Sequence, residues 1–337
     1  MTRDTRLRLI KEIEELRGGK LLVYFTGDRR GLETRIASDV FPFAQTHLMR
    51  MGKQKKIDLF LYSTGGLTMA GFGLVNLIRE FCDSFGVIVP FKAHSTATLI
   101  ALGANDIVMT SMGQLSPIDP SITSPFGPQL QIPGQLGVAQ PLPVNVEDVT
   151  SYLDLAKKTM PNDNAAMGRA FDRLSQVVNP LTLGTVNRIK EQISFLAKTL
   201  LGYHMTGEAR ISNIVNTMTK ARFSHDYLVG RKEAKNILKL NIVENKALEE
   251  KALELYSEYD QMLQLSTPYN SEVVLGGNDS ITASFNRAII ESHGLTHVFR
   301  TTKSVERITL APPQVPAVTT GIIEKVLEER WFEDTNI

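Results

Sequence analysis

Leu59-Phe-Leu-Tyr-Ser-Thr-Gly-Gly-Leu-Thr-Met-Ala-Gly-Phe-Gly73 is an apolar strand that stops at small residues and runs on into an apolar helix. Val87-Ile-Val-Pro-Phe-Lys-Ala-His-Ser-Thr-Ala-Thr-Leu-Ile-Ala-Leu-Gly-Ala104 repeats the plan one unit later. The strands are expected at 57–62 and 86–91. At the first bend stand Gly65 and Gly66, which let backbone approach a ligand closely. At the second, Ser95 stands at the helix start with Thr96 behind it. Such junctions leave backbone N–H groups unpaired and facing outward, a setting for negative charge. Singly, each has an ordinary explanation: a serine there caps the helix, and a Gly-Gly pair makes a tight turn. Together, on adjacent parallel strands, they share the sheet edge at which open α/β folds bind ligands. A hydroxyl beside two sets of free donors supplies a nucleophile and an oxyanion hole, the two needs of acyl transfer.

Outward from this pair, a helix is expected at 6–16, a strand at 20–25, a helix at 33–51 bent near Pro42, and a strand at 106–110. Alternating strands and helices of this size imply an α/β domain with a mostly parallel sheet and right-handed crossovers. After Leu115 the character changes. Residues 116–144 hold seven prolines and no charged side chain except Asp119. Disordered segments usually carry more charge, so this stretch is expected to line a groove or sit in an oligomer contact. Helices follow over 145–203, 211–218 and 231–238, with Asn145 or Asp148 as a cap. An amphipathic helix is read at 247–265. A strand at 280–292 turns at His293-Gly294 and returns over 295–302. Pro312, Pro313 and Pro316 then precede a helix expected at 320–331.

Composition closes several functional classes. The 337 residues suffice for one large or two small domains with a full core. A net charge of +1 gives no basic field for nucleic acid or an anionic membrane. Cys82 is the only cysteine, which excludes an intramolecular disulfide and paired-cysteine metal motifs. It is expected on the apolar face of a helix, as a buried inert thiol. His47, His204, His293 and His297 show no ligand spacing, so no metal is expected. The glycines form neither a dinucleotide fingerprint nor a phosphate loop, so no cofactor is expected. The charged start has no apolar stretch of a signal peptide, and no run nears the ~18 apolar residues of a membrane span. The cytoplasm is the default expectation.

The residues also carry a family resemblance. Tyr62-Ser-Thr-Gly-Gly66, followed by Ala70-Gly71, looks like the Ser-Pro-Gly-Gly turn and helix of the Clp protease proteolytic subunit. Closer is the serine dehydrogenase proteinase family of Clp-fold proteins. The run through Ser95, Ile107-Val-Met109, Leu115-Ser-Pro-Ile-Asp-Pro120 and Phe223-Ser-His-Asp-Tyr-Leu228 resemble its signature in order, over roughly residues 5–245. The resemblance implies a Clp/crotonase-like α/β core at 1–245 and a C-terminal α+β extension of unknown role at 246–337. It further implies an ATP-independent serine peptidase, a protein or peptide substrate, and a homo-oligomer. Ser95 corresponds to the nucleophile, and Gly66 and Thr96 to the oxyanion donors, with Gly65 beside them.

The base departs from the Clp pattern. Where that family has Ile-His-Gln-Pro, this chain has Ile118-Asp119-Pro120. A carboxylate with an intrinsic pKa near ~4 is too weak alone to activate a serine near neutral pH. His225, in the His-Asp-Tyr motif, is the first substitute, with Asp226 or Asp119 to orient it. A Ser–Lys dyad through Lys92 or Lys157 is the alternative, and needs burial to lower the lysine's pKa. His94 adjoins Ser95 but diverges from it at a strand end, so it is expected to support the site by hydrogen bonding. Two other readings stand beside the peptidase: a silent Clp-fold scaffold that lost its base, and crotonase-like acyl-thioester chemistry.

Overall fold

The computed structural model describes residues 3–118, 121, 122, 124, 126–131, 139–219, 227–310 and 319–335. The chain forms two compact units, one of residues 1–115 with 229–337 and the other of 116–228. The first is built on α1 (Arg3–Arg17), β1 (Lys20–Thr26), α2 (Phe41–Met51), β2 (Gln54–Tyr62), α3 (Thr68–Arg79), β3 (Cys82–Val89), β4 (Lys92–Ala93), α4 (Thr96–Leu102) and β5 (Asp106–Met109). Its eight-stranded sheet runs Ile242–Val243, β5, β3, β2, β1, Ser280–Ser292, Leu295–Leu310, Thr319–Glu333. The first five strands are parallel and the last three antiparallel.

β1, β2 and β3 read as continuous apolar runs because both faces of a parallel sheet are covered. Residues 57–62 and 85–89 are buried throughout. Leu9, Ile10 and Ile13 form the apolar stripe of α1 and pack with Leu248, Ala252, Leu255 and Tyr259 of the helix Lys246–Leu263. Gly18, at φ +64°, ends α1 in the left-handed conformation that favours glycine there.

Arg17 and Arg6 enter this core paired with carboxylates. Arg17 reaches Asp58 at 2.6 Å and also bonds Asp106, which takes Lys56 at 2.9 Å. A side chain at Gly86 would run into the Asp58 carboxylate and Arg17, so glycine leaves the space that the pair occupies. Arg6 likewise donates to Glu291 at 2.9 Å, and Tyr259 and Thr296 donate to the same carboxylate at 2.6 Å each.

Several expectations are corrected. The helix read at 33–51 begins only at Phe41, after a single 3-10 turn at Ser38–Val40. Pro42 lies in its first turn, where a missing N–H costs nothing. Upstream, Ile36 is extended because it bridges to Gly66. Cys82 is buried, as read, but opens β3 and is not on a helix; burial pushes its thiol up. The helix expected at 320–331 is the strand Thr319–Glu333, paired along nearly its whole length with Leu295–Leu310. Non-local pairing overrides local propensity there. The expected break at 245 falls inside one unit: Ser280–Ser292 pairs with β1 and continues the sheet past residue 245.

The unit 116–228 contains the helices Val146–Thr159, Asn164–Val177, Pro180–Gly202 and Glu208–Thr219. Asn145, Asp163 and Asn179 cap the first three by accepting from Glu147, Ala166 and Leu181 N–H groups. Before them, in the stretch read as a proline-rich loop, Ser121–Ile122 pairs with Val144–Asn145 and Gln129–Gln131 with Ala139–Pro141. No described helix is long and apolar enough to cross a membrane.

Candidate active site

β2 and β3 lie side by side and parallel, so the two junctions do share one sheet edge. Backbone bonds carry the pairing beyond the strands. Ser63 N–H donates to Lys92 O at 2.9 Å, and His94 N–H donates to Ser63 O at 3.0 Å. This stitch draws the Gly-Gly turn against residues 94–96.

The turn is held from three sides. Ser63 Oγ accepts from Gly65 N–H at 3.0 Å and from Thr26 Oγ1 at 2.7 Å. Ile36 N–H donates to Gly65 O and Leu67 N–H to Ile36 O, both at 2.8 Å. Thr96 Oγ1 donates to Gly66 O at 2.8 Å, tying the turn to the start of α4. Those bonds occupy both backbone groups of Gly65, the Gly66 carbonyl and the Leu67 N–H, and leave the Gly66 N–H outside the turn's own bonding.

Glycine is required twice here. Gly65 and Gly66 have φ of +119° and +153°, where side chains are strained. A Cβ on Gly65 would sit 2.9 Å from Ser95 Cβ and 3.4 Å from its Oγ. One on Gly66 would overlap the Ile36 backbone.

Ser95 does not cap α4. Its side chain makes no capping bond, and its backbone stands at φ 50°, ψ −113°. A non-glycine residue in such a sparsely populated region costs roughly 1–3 kcal/mol and persists only where the surroundings enforce it. The enforcing contacts are Ala97 N–H to His94 O at 2.9 Å and Leu99 N–H to Ser95 O at 3.1 Å, with every residue of α4 buried. A serine on a sharp, strained strand-to-helix turn is the arrangement by which hydrolases present a nucleophilic hydroxyl. Thr96 is the first residue of α4, so its N–H lacks an intrahelical acceptor. Ser95 is half-buried, and Gly66, Leu67 and Met69 are exposed beside it.

Ser95, Thr96, Gly65 and Gly66 are thus brought together. Lys92 is engaged elsewhere: its Nζ lies 2.6 Å from Asp28 Oδ2, and Asp28 also accepts from Tyr62 at 2.7 Å. Lys157 is exposed on the helix Val146–Thr159 of the other unit. Asp119, His225 and Asp226 lie outside the described residues. Sequence reading missed Ile36, Ser63, Thr26 and Asp28. Ser63 alone left a signal, as a hydroxyl two residues before a glycine turn.

A cavity of about 440 Å³ opens beside the turn at Thr64. Its walls carry Asp39, Arg35, Arg287, Glu329 and Trp331, and so both signs of charge. Trp331 Nε1 donates to Asp39 at 2.8 Å and Arg287 pairs with Glu329 at 2.5 Å.

Residues 45–163, which include Gly65, Gly66, Ser95 and Thr96, match the family described as ClpP-like SDH-type serine proteinase. The uncharacterized protein MJ0137 of Methanocaldococcus jannaschii is 29% identical over 186 residues, 55% of this chain and 53% of that protein. MJ1495 of the same organism, also uncharacterized, is 30% identical over 125 residues, 35% of this chain and 42% of that one. The chain spans about half the length of these relatives. Among solved structures, a mutant of the 1510-N membrane-bound stomatin-specific protease aligns at TM-score 0.36 and 14% identity, covering 64% of this chain and 79% of that one. The ClpP protease catalytic domain of Plasmodium falciparum aligns at 0.34 and 15%, covering 73% and 93%.

Proposed function

We propose that this chain, whose residues 45–163 match the ClpP-like SDH-type serine proteinases, is a serine peptidase with Ser95 as its nucleophile. The observation that carries the reading is the strained, non-capping backbone of Ser95, packed against the Gly65–Gly66 turn. Ser95 Oγ attacks the carbonyl carbon of a peptide bond and its proton passes to the His225 imidazole, oriented by Asp226 or Asp119. The Gly66 and Thr96 N–H groups donate to the oxyanion, each contributing about 3 kcal/mol to the transition state. Collapse expels the amine, which takes the proton from His225, and water releases the acyl group by the reverse sequence. Exposed Leu67 and Met69, and the cavity at Thr64, suit an extended polypeptide with side chains on either side of the turn. The protein acts without ATP, as a homo-oligomer in the cytoplasm.

One observation favours a second reading, the silent scaffold. Lys92 is the amine nearest Ser95 in sequence, and Asp28 holds it. A Ser–Lys dyad would first have to break that pair, so activity depends on the His225 segment. A fluorophosphonate probe separates the two. Stoichiometric labelling of the wild type, lost in Ser95→Ala and in His225→Ala but kept in Lys92→Ala, is the expected outcome. No labelling of an assembled wild-type protein supports the scaffold, and labelling that survives Ser95→Ala removes Ser95 from the mechanism.

A further inference from the structure

A second polar site lies just beyond β1. Arg29 is only 9% exposed, and its Nε donates to Thr267 O at 2.8 Å. The buried arginines of the core, Arg6 and Arg17, each have a carboxylate partner. Arg29 has none among the described residues; around it lie the Phe285 ring, 5.9 Å from the guanidinium carbon, and the uncharged Tyr269 phenol. Burial lowers its proton affinity more than the neighbouring Tyr269 phenol raises it. A buried charge without a counter-ion is costly, and proteins normally neutralise it with a partner or a ligand.

The missing partner has a place to sit. Arg29 lines a cavity of about 240 Å³ together with Arg300, Asn286, Ser284 and Gln264. Arg300 is oriented at that wall by its Nε bond to Asn286 Oδ1 at 2.7 Å and by Asp334 at 2.6 Å. Asp334 answers the charge of Arg300 and leaves that of Arg29 unmatched. No acidic side chain lines the cavity among the described residues, whereas the cavity at Thr64 carries three. The space admits several waters or one small oxyanion, at ~30 Å³ per water. Guanidinium groups suit planar carboxylates and phosphate alike, by paired N–H donors.

We propose that this cavity is a binding site for a small oxyanion, a phosphate or a compact carboxylate, with Arg29 as its chief ligand and Arg300 and Asn286 at its flank. The site is separate from the Ser95 junction and does not depend on peptidase activity.

Thermal melting of the full chain tests it, at constant ionic strength, with sodium chloride exchanged for inorganic phosphate in one arm and for succinate in another. Ligand that binds only the folded state raises the melting temperature by mass action. A saturable rise is expected in at least one arm, and the arm that responds tells phosphate from carboxylate. In Arg29→Met the rise should vanish, and in chloride alone that variant should melt no lower than the wild type. Should Arg29→Met fail to fold, Asn286→Asp replaces it: a carboxylate beside Arg29 should abolish the anion response and raise the melting temperature in chloride. No saturable response of the wild type to either anion overturns the proposal. So does an undiminished response in Arg29→Met or, in its place, in Asn286→Asp.

Discussion

The two ends of the parallel sheet are built on opposite terms. Toward the strand starts, Asp58, Gly86 and Asp106 stand level on β2, β3 and β5, and Arg17 ties the two carboxylates together. Each of these carboxylates is answered by a cation. At the strand ends the same β2 and β3 finish in Gly65 and Gly66 at positive φ and lead to Ser95 in a conformation that few serines adopt. One end uses paired charge to hold the sheet. The other carries conformational strain, enforced by its neighbours, with Gly65 packed against Ser95. The same pair of strands is therefore built for stability at one end and tolerates strain at the other.

Variants can break that contrast. The largest stability loss is expected from Arg17→Met, which leaves Asp58, 1% exposed, without its guanidinium. Removing one partner of a buried pair costs about 3–5 kcal/mol, readable as a lower urea midpoint at unchanged slope. Burial already pushes the Asp58 carboxyl up, so the double variant Arg17→Met with Asp58→Asn should recover part of the loss. Full stability in Arg17→Met alone would show that the paired end is not what holds the sheet.

A pH effect comes next. His47 and His297 are buried and bonded to each other at 3.0 Å, with His47 also 2.6 Å from Ser292. Burial, reinforced by His297 and Arg50, pushes His47 down to about 3 from 6.5, and burial lowers His297 as well. The unfolded chain then binds more protons than the folded one between these values. This contribution is complete above about 6.5 and is lost as pH falls toward 3. His47→Gln should flatten the acid limb of a pH–melting profile; an unchanged limb would place the acid sensitivity elsewhere.

At the other end the expected sign reverses. Ser95→Gly removes the strain along with the nucleophile, so it should be inactive and yet more stable, by about 1 kcal/mol. A destabilised Ser95→Gly would mean that the backbone geometry is not strained. The smallest change is Lys92→Met. Its pair with Asp28 is partly exposed, at 29% and 16%, so the loss should stay within about 1 kcal/mol with peptidase activity kept. A dead Lys92→Met would instead argue for the dyad.

Much of this site was legible in order along the chain. The two apolar runs that end in small residues marked both junctions, and the parallel pairing that joins their strands follows from the alternation of strands and helices. In the sequence Ser95 was not separable from a cap, because a cap and a nucleophile share the same residue type and position. Only its φ and ψ and the missing capping bond show that it is not a cap. Ile36 gave no signal at all: it was read inside a helix, and what pulls it into an extended bridge is Gly66, thirty residues away.

The sequence by itself determined the α/β class, the pair of strand-to-helix turns and the glycines between them, because burial on both faces and positive φ impose strong local preferences on residue type. Only the tertiary structure decided that Ser95 is strained and not capping, that Lys92 belongs to Asp28, and that Thr319–Glu333 is a strand. It also decided that residues beyond 245 complete the first sheet. These outcomes depend on contacts between residues far apart in the chain, such as Val23 with Glu291 and Phe299 with Trp331. A local window of sequence contains neither partner's influence on the other, and the free energy of pairing outweighs the local propensity that a window can read.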